Sequence, residues 1–351
     1  MESLKLWEQE LTPLTNLASR VEDFASRCLP DFVYTSEETR DLSFAEIEIG
    51  KHFGEEVPRL IVGLTMRDGE ATVPHVFTRW SRSQLLSHVG TREKWFKMVT
   101  KFQEADELNR RLPVLDRFML RTMRSFDDPS LRIVRGIVSS SYADIPDPDI
   151  MKALLEIMPG GFALRAYSGK TDRAFYAYAI TADKIGIPGT SYSGFPGVVI
   201  KNSEVGFTSL WITPMLYVAD LSAPVVMEKQ VLLRRVHRGA FSEMLEKFNE
   251  ALAKGKSLWG PLQAKLAQLD LLTFPTEDDA VSVLTTLMSE LNAAQSFIFR
   301  CSQLYRAAHH VNHNGVHLFE AILAAVKEST DNDDAYVAAS VAGAVLMRLI
   351  K

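Results

Sequence analysis

One segment near the middle of the chain, residues 195–220, constrains the fold more than any other. Its sequence FPGVVIKNSEVGFTSLWITPMLYVAD places an apolar run on either side of a polar turn. Both runs are rich in the β-branched and aromatic residues that fit a pleated surface. Asn202 and Ser203 can bond their own backbone, and Gly206 can adopt a positive φ without a steric penalty. The segment therefore predicts a β-hairpin around a central turn formed by residues 202–206.

Composition and cysteine usage exclude several classes of protein. Hydrophobic residues make up 46% of the chain and charged residues 24%, as in a typical globular protein. The amino end carries acidic residues where a signal peptide is basic, and no stretch approaches the ~18 uninterrupted apolar residues of a membrane span. Cys28 and Cys301 are too far apart in sequence to suggest a disulfide framework or a zinc motif. We therefore expect a cytoplasmic protein with no membrane-spanning segment.

Helical and strand periodicities divide the chain into three parts. Residues 1–130 combine helical patterns with short strands, residues 131–238 alternate as hairpin strands with one short helix, and residues 239–351 are helical in pattern. The predicted fold class is α+β, with a helical N-terminal region, an antiparallel sheet of hairpins in the middle and an all-helical C-terminal region.

Positive charge is concentrated before the predicted hairpins. The net charge is +6 over residues 79–135, whereas it is −8 over residues 1–78 and −4 over residues 239–351. A local basic region can bind polyanions even when the whole chain is acidic. The acidic and basic segments could equally face each other inside the fold.

Residues 114–126 have the spacing of a helix. Arg117, Arg121 and Arg124 would then project from one face, with apolar residues on the opposite side. Such a stripe can grip a nucleic-acid backbone, although it is also typical of a solvated helix face.

Three further motifs have structural explanations. Ser168-Gly169-Lys170-Thr171 resembles the end of a phosphate-binding loop but lacks the upstream glycine, so we predict a hairpin turn there. Asp147 precedes Pro148 as a helix cap would. The histidines between residues 309 and 317 lack a zinc-helix motif, and Asn314-Gly315 is expected to interrupt the helix. No catalytic residues, metal ligands or cofactor are predicted.

Two motifs carry a resemblance to a known family. The sequence RGIVSSSYADIPD at residues 135–147, followed by the helix at residues 150–156, resembles the arginine, strand, serine, tyrosine, aspartate and helix signature of the phage/plasmid-like proteins, a family of unassigned function. VIKNSEVG at residues 199–206 is similar to its second marker, an Asn-Ser-Glu-x-Gly turn between strands. The resemblance covers roughly residues 75–240 and implies an origin in a phage, prophage or plasmid.

The first functional hypothesis is a non-catalytic protein that grips single-stranded DNA in a basic groove, with aromatic side chains for base stacking. The predicted contacts are Arg117, Arg121, Arg124, Arg132, Arg135, Arg234, Arg235, Arg238, Tyr142, Tyr167 and Tyr192. The alternative is a protein-interaction or assembly module that recruits or counteracts a host factor, with homo-oligomerisation expected. A metal-dependent enzyme is the third reading.

The central turn supplies a test of these hypotheses. If the turn lies at the surface, Glu204→Ala changes stability by ~0.5 kcal/mol or less. We expect this variant to keep its melting temperature and to alter assembly or DNA binding. A β-branched residue at Gly206 is instead expected to damage the fold, because positive φ strains it by roughly 1–3 kcal/mol.

Overall fold

The computed structural model describes residues 11–34, 42–49, 59–68, 71–90, 100–111, 117–125, 128, 130–143, 145–171, 173–187, 192–227, 232–235, 246, 250, 266–329 and 332–349. The strands are β1 (Leu11–Pro13), β2 (Phe32–Tyr34), β3 (Leu42–Ile49), β4 (Arg59–Asp68), β5 (Ala71–Phe77), β6 (Phe118–Arg124), β7 (Arg132–Ser139), β8 (Phe162–Leu164), β9 (Gly169–Lys170), β10 (Phe175–Ile180), β11 (Ile185–Gly186), β12 (Ser193–Asn202), β13 (Leu210–Val218), β14 (Ala223–Val226), β15 (Leu233–Arg235), β16 (Thr273–Phe274) and β17 (His313–Asn314). The helices are α1 (Leu14–Ser26), α2 (Arg79–His88), α3 (Lys101–Arg111), α4 (Asp147–Ile157), α5 (Glu277–Glu290), α6 (Gln295–Ala307), α7 (Gly315–Lys327) and α8 (Asn332–Leu349).

The larger sheet has nine strands and is antiparallel throughout. Its main order is β1-β8-β10-β12-β13-β14, with β9 beside β10, β11 beside β12 and β15 beside β13. The predicted hairpin is confirmed as β12 and β13, which pair from Lys201 opposite Trp211 to Gly194 opposite Val218. Gly206 has a φ of +77°, as the turn chemistry requires.

Both faces of the nine-stranded sheet are buried. Side chains of a strand alternate between the two faces. In β10, Phe175 and Ala177 belong to a core shared with α1 and α4, whereas Tyr176 and Tyr178 belong to a core shared with the C-terminal helices. The sheet therefore lies between two helical layers.

The small residues of α8 serve this packing. A Cβ atom at Gly343 would lie 2.0 Å from the carbonyl oxygen of Val226 in β14, so the helix backbone approaches the strand directly. The sequence from Ala338 to Met347 predicts a small-residue face that could pack closely against a helix of a partner. In the structure this part of α8 packs against the protein's own sheet.

The smaller sheet has six strands in the order β2-β6-β7-β5-β4-β3. Its pairs are antiparallel except β5 and β7, which are parallel. Helices α2 and α3 lie between β5 and β6 in the chain and supply Leu85 and Leu108 to the core on one face of this sheet. The sequence pattern predicts Ser81 or Ser83 as the cap of α2. The cap is instead Thr78, whose side chain accepts a hydrogen bond from the backbone N–H of Ser81.

The predicted arrangement of the α+β fold was wrong. The N-terminal region is not mainly helical, because beside α1, α2 and α3 it contributes five strands of the six-stranded mixed sheet. Strands are numerous, and helices are scattered between them instead of being confined to the two ends of the chain. The C-terminal region includes the short antiparallel pair β16–β17, so it is not all-helical.

The predicted helix over residues 114–126 is the strand β6. Residues 118–123 are all buried, with Leu120 in the core under α2 and α3 and Met123 in the core on the opposite side. A strand buried on both faces lacks the alternation of polar and apolar residues that would reveal it as a strand. The spacing of the three arginines also matched the period of a helix, so the sequence predicted a helix. The arginine stripe therefore does not exist as a helix face.

Other boundaries moved by smaller amounts. The single helix expected over residues 277–305 is two helices, α5 and α6, with Asn292 at a φ of +55° between them. The strand expected over residues 225–236 is the two short strands β14 and β15. Helical patterns also predict helices over residues 241–253 and 258–272. Most of both ranges lies outside the described residues, and the described residues 246 and 250 are helical. None of the described helices is both long and apolar enough to cross a membrane.

Candidate functional site: a buried ion cluster beside a cavity

The central turn extends from the nine-stranded sheet onto the six-stranded sheet. Trp80 and Gln84 of α2 both donate side-chain hydrogen bonds to the carbonyl oxygen of Val205, at 3.0 and 2.9 Å. The Gln84 side chain also accepts from the backbone N–H of Ile137 in β7, at 2.9 Å. These contacts attach the turn to one strand and one helix of the smaller sheet, so it is a buried connection and not a surface loop.

A β-bulge in β7 prepares the surface that receives the turn. Arg121 of β6 lies opposite Gly136, but the next residue, Thr122, lies opposite Val134, which leaves Arg135 without a partner across the strand. A bulge of this kind redirects side chains. Arg135 and Gly136 consequently both face the central turn. A Cβ atom at Gly136 would lie 2.6 Å from the Cβ of Val205, so the turn can lie here only because residue 136 is glycine.

Glu204 and three ionisable residues near it, Arg135, Asp147 and Lys170, form a group that we call the buried ion cluster. Arg135 Nη1 donates to Glu204 Oε2 at 2.9 Å, and Lys170 Nζ donates to the same oxygen at 2.5 Å. Lys170 Nζ also donates to Asp147 Oδ2 at 2.5 Å. The four residues come from β7, the start of α4, β9 and the central turn, so tertiary structure brings them together.

Backbone and amide groups complete the cluster. The backbone N–H of Asp147 donates to Glu204 Oε1 at 3.2 Å. Asn202 Nδ2 donates to Asp147 Oδ1 at 2.7 Å and to the carbonyl oxygen of Ile145 at 2.8 Å. Asp147 was expected to cap α4, but Pro146 occupies the cap position and makes no side-chain cap bond. The Asp147 carboxylate is used for the ion cluster instead.

Burial and charge shift the pKa values of the cluster in different directions. Burial raises the pKa of Asp147 to about 6, with Lys170 opposing the rise and Glu204 adding to it. Burial also acts to raise the pKa of Glu204, but the charges of Lys170 and Arg135 outweigh it and lower that pKa to about 2. Burial lowers the pKa of Lys170, yet the two carboxylates outweigh burial and leave it above its ordinary value. The charges of the cluster therefore favour ionised Glu204, whereas burial favours the protonated form of Asp147.

Arg121 and Tyr142 hold the backbone of the same turn. Arg121 Nη1 donates to the carbonyl oxygen of Glu204 at 2.7 Å, and Arg121 forms an ion pair with Asp31 at 3.2 Å. The Tyr142 hydroxyl donates to the carbonyl oxygen of Ser203 at 2.6 Å, and the Arg121 guanidinium lies 5.3 Å from the Tyr142 ring centre. Both residues were predicted to bind DNA, but the structure uses them to hold the central turn.

A cavity of about 310 Å³ adjoins the buried ion cluster. It is lined by residues of both sheets and of α1: Phe24, Thr78, Met123, Ile133, Arg135, Lys170, Thr171, Arg173, Ala174, Phe175, Glu204 and Val205. Among the described residues, no hydrogen-bond partner is found for the buried Nε of Arg135. The cavity therefore combines apolar walls with cationic groups, one of which has an unused donor.

The remaining predicted residues do not converge on this cavity. Arg117, Arg124 and Arg234 are exposed, and Arg132 is partly exposed. Arg234 lies 4.6 Å from the ring centre of Trp211, and Arg235 belongs to β15. Tyr167 is buried and its hydroxyl donates to the carbonyl oxygen of Ser222, while Tyr192 donates to Glu320. Arg238 lies outside the described residues.

Sequence reasoning missed Asp147, Lys170 and Arg173 as members of the site. Lys170 was considered only as part of a phosphate-binding loop, and the structure places it in β9 beside β10, with no helix after it. One signal did point to the site. The two family-like motifs contain Arg135, Asp147 and Glu204, and the fold brings these three together.

The fold and the site together define an α+β protein with two sheets joined by a buried ion cluster beside a partly cationic cavity. Comparison of the chain with family models, with curated proteins and with solved structures returned no match in any of the three. The resemblance to phage/plasmid-like proteins therefore stays a prediction.

Proposed function

We propose that the cavity beside the buried ion cluster binds a small anionic ligand that carries a phosphate or carboxylate group on an apolar body. The observation that carries this proposal is that Arg135 lines the cavity and that its buried Nε–H has no hydrogen-bond partner among the described residues. A buried donor without a partner costs roughly 1–3 kcal/mol, and a bound anion would satisfy it.

The charges around the cavity support an anionic ligand. Arg135, Lys170 and Arg173 line the cavity, and among the described lining residues Glu204 is the one carboxylate. Arg173 is also ion-paired with Asp333. Asp147 lies on the other side of Lys170 and does not line the cavity. An anion is thus the charge that this environment can accommodate.

The apolar walls support a ligand with a hydrophobic part. Phe24 and Phe175 line the cavity together with Met123 and Ile133. Lys170 Nζ lies 4.4 Å from the Phe24 ring centre, which places a cation against the same aromatic surface. Small-molecule sites typically have volumes of about 300–1,000 Å³ and combine apolar walls with a few polar groups. This cavity is at the small end of that range.

Isothermal titration calorimetry with phenyl phosphate, inorganic phosphate and phenol tests the proposal. Phenyl phosphate is expected to bind more tightly than inorganic phosphate, and phenol is expected not to bind. The double variant Asp147→Asn with Lys170→Met removes one charge of each sign and should weaken phenyl phosphate binding at least tenfold. Phe24→Leu should weaken the binding of phenyl phosphate more than the binding of inorganic phosphate.

The control removes another pair of one cation and one carboxylate elsewhere in the chain. Arg348 and Glu290 are ion-paired on α8 and α5, and Arg348→Met with Glu290→Gln should bind phenyl phosphate as the wild type does. Circular dichroism establishes that each variant is folded. Failure of the folded wild type to bind any of the anions, or equal binding by the cluster variant, contradicts the proposal.

Single-stranded DNA binding is the second candidate, and the exposed arginines of the smaller sheet favour it. Arg124 and Arg132 lie at opposite register positions at one end of β6 and β7, and both reach solvent. Phosphate contacts from such residues give an affinity that falls with salt concentration. The anisotropy of a labelled oligonucleotide, measured at several salt concentrations, should then show weaker binding for Arg124→Gln with Arg132→Gln. Binding without salt dependence, or equal binding by this variant, removes the candidate.

The predictions on cellular setting and assembly remain proposals. They are a cytoplasmic location, an origin in a phage or plasmid, homo-oligomerisation and recruitment of a host protein. Size-exclusion chromatography with light scattering measures the oligomeric state directly, and a monomer at micromolar concentration contradicts the assembly reading.

A further inference from the structure

A second group of ionisable side chains lies far along the chain from the ion cluster, at the start of α7. His310 precedes the short strand β17, while His317 and Glu320 lie on the first turns of α7. The spacing of three residues places His317 and Glu320 on one face of the helix. We call His310, His317 and Glu320 the histidine–glutamate cluster.

The donor atoms of this cluster are close enough to share one ion. One ligand atom from each of the three residues lies within 4.8 Å of the other two, and all three side chains are partly buried. Ligands of a tetrahedral zinc ion are about 3.3–3.5 Å apart, given bond lengths of about 2.0–2.2 Å. To share one ion, the side chains must rotate so that these atoms approach each other and both imidazole nitrogens point at the same position.

Hydrogen bonding gives His317 the tautomer that a metal ligand needs. Its Nδ1 lies 2.7 Å from the carbonyl oxygen of Asn312, and because a carbonyl can only accept, Nδ1 carries the proton. In the neutral ring Nε2 then carries the lone pair. A backbone carbonyl that orients a histidine in this way is typical of metal sites. Asn314 caps α7 by accepting from the backbone N–H of His317, at 3.0 Å, and so holds the residue in position.

The other two members are also held by neighbours. The Tyr192 hydroxyl, from the segment that enters β12, donates to Glu320 Oε1, so the contact leaves Oε2 for a metal. The His310 ring stacks on the His317 ring with centres 3.9 Å apart and an angle of 10°. The buried Tyr305 ring supports His310 at 5.0 Å between centres.

We propose that His310, His317 and Glu320 bind one divalent transition-metal ion. Two imidazole nitrogens and one carboxylate oxygen suit Zn²⁺, and three protein ligands leave a fourth position for water. Tyr192 orients the Glu320 carboxylate by its hydrogen bond to Oε1. The bound ion joins the segment before α7, α7 itself and, through Tyr192, the edge of β12, so it should stabilise the packing of the C-terminal helices on the nine-stranded sheet.

Calorimetric titration of the full chain, without a histidine tag, with Zn²⁺ tests this proposal. One ion per chain should bind, and Zn²⁺ should raise the melting temperature. His317→Ala and Glu320→Gln should each lower the affinity at least tenfold. Tyr192→Phe should lower it about tenfold, because it removes the hydrogen bond that orients the Glu320 carboxylate. Mg²⁺, which prefers oxygen ligands, should not compete.

A histidine elsewhere supplies the matched control. His88 is exposed at the end of α2, and His88→Ala should bind Zn²⁺ as the wild type does. The absence of Zn²⁺ binding by the wild type overturns the proposal. A folded His317→Ala variant that binds Zn²⁺ with the wild-type affinity also overturns it. So does a loss of affinity in His88→Ala equal to that in His317→Ala, because this would assign the binding to surface histidines.

Discussion

The buried ion cluster and the histidine–glutamate cluster differ in how their charges are satisfied. In the ion cluster, Lys170 and Arg135 contact Glu204 directly, and Lys170 also contacts Asp147, so cations and anions face each other. In the histidine–glutamate cluster, two imidazole rings and a carboxylate face each other with no cation among the three. The ion cluster pairs its own carboxylates and leaves a donor, the Nε–H of Arg135, without a partner among the described residues. The histidine–glutamate cluster instead offers lone pairs.

The difference teaches what each arrangement needs in order to be stable. Taking charges out of water is costly, and partners within the protein must offset that cost. The ion cluster contains its partners, so the removal of one leaves the others unpaired in the interior. The histidine–glutamate cluster is only partly buried, so it tolerates the loss of a member but would gain from an added cation.

The two clusters should differ most in the loss of stability when a carboxylate is removed. Glu204 is 8% exposed and accepts from both Arg135 and Lys170, so Glu204→Ala should destabilise the fold by about 3–5 kcal/mol. The structure thus reverses the expectation from the sequence that this change leaves stability unaltered. Glu320→Ala, measured without metal, should cost ~1 kcal/mol or less. Equal shifts in the urea midpoints of the two variants contradict the contrast.

The contact surface for the turn can be broken separately. Gly136→Val places a side chain against the backbone and side chain of Val205 and should cost about 1–3 kcal/mol, as overpacking does. Gly186→Val, where an added Cβ meets open space, is the matched control and should stay within ~0.5 kcal/mol. A stable Gly136→Val protein would mean that the turn can move away from β7 at little cost.

The dependence of stability on pH sharpens the comparison inside the ion cluster. The folded pKa of Asp147, about 6, exceeds the unfolded value near 3.9, so its contribution to the free energy of unfolding falls as pH rises from about 4 to 6. Glu204 acts oppositely: its folded pKa of about 2 gives stability that is present above about pH 4.5 and lost as pH falls towards 2. The free energy of unfolding, measured with urea, should therefore decline less between pH 4 and 6 for Asp147→Asn than for the wild type. The same slope of this free energy against pH in both proteins contradicts the assignment.

An exposed pair of the same chemistry gives the smallest expected effect. Arg300 Nε and Nη2 donate to the two oxygens of Glu328 at 2.6 and 2.7 Å, a geometry as good as that of Arg135 and Glu204. Both side chains are 45% exposed, however, and water replaces the contact when it is lost. Arg300→Met should therefore leave the urea midpoint unchanged within error. A shift comparable to that of Glu204→Ala would show that burial does not separate the two pairs.

Local sequence patterns predicted the elements whose energies come from near neighbours. The β12–β13 hairpin, the positive φ of Gly206 and the interruption before α7 at Asn314 all follow from turn and capping chemistry within a few residues. Strand β7 was also expected from its alternation, although its bulge at Arg135 was not. Such features depend on short-range contacts, so the sequence by itself determined them.

Only the tertiary structure decided the roles of the charged residues. Arg121 looked like one member of a helical stripe, but sheet pairing made its segment a strand and burial directed its side chain to Glu204. Asp147 and Lys170 lie 23 residues apart and resembled a helix cap and a turn residue until folding placed them in contact. The physical reason is that a buried charge must find an opposite charge wherever the fold supplies one, and no local pattern records which residues will meet.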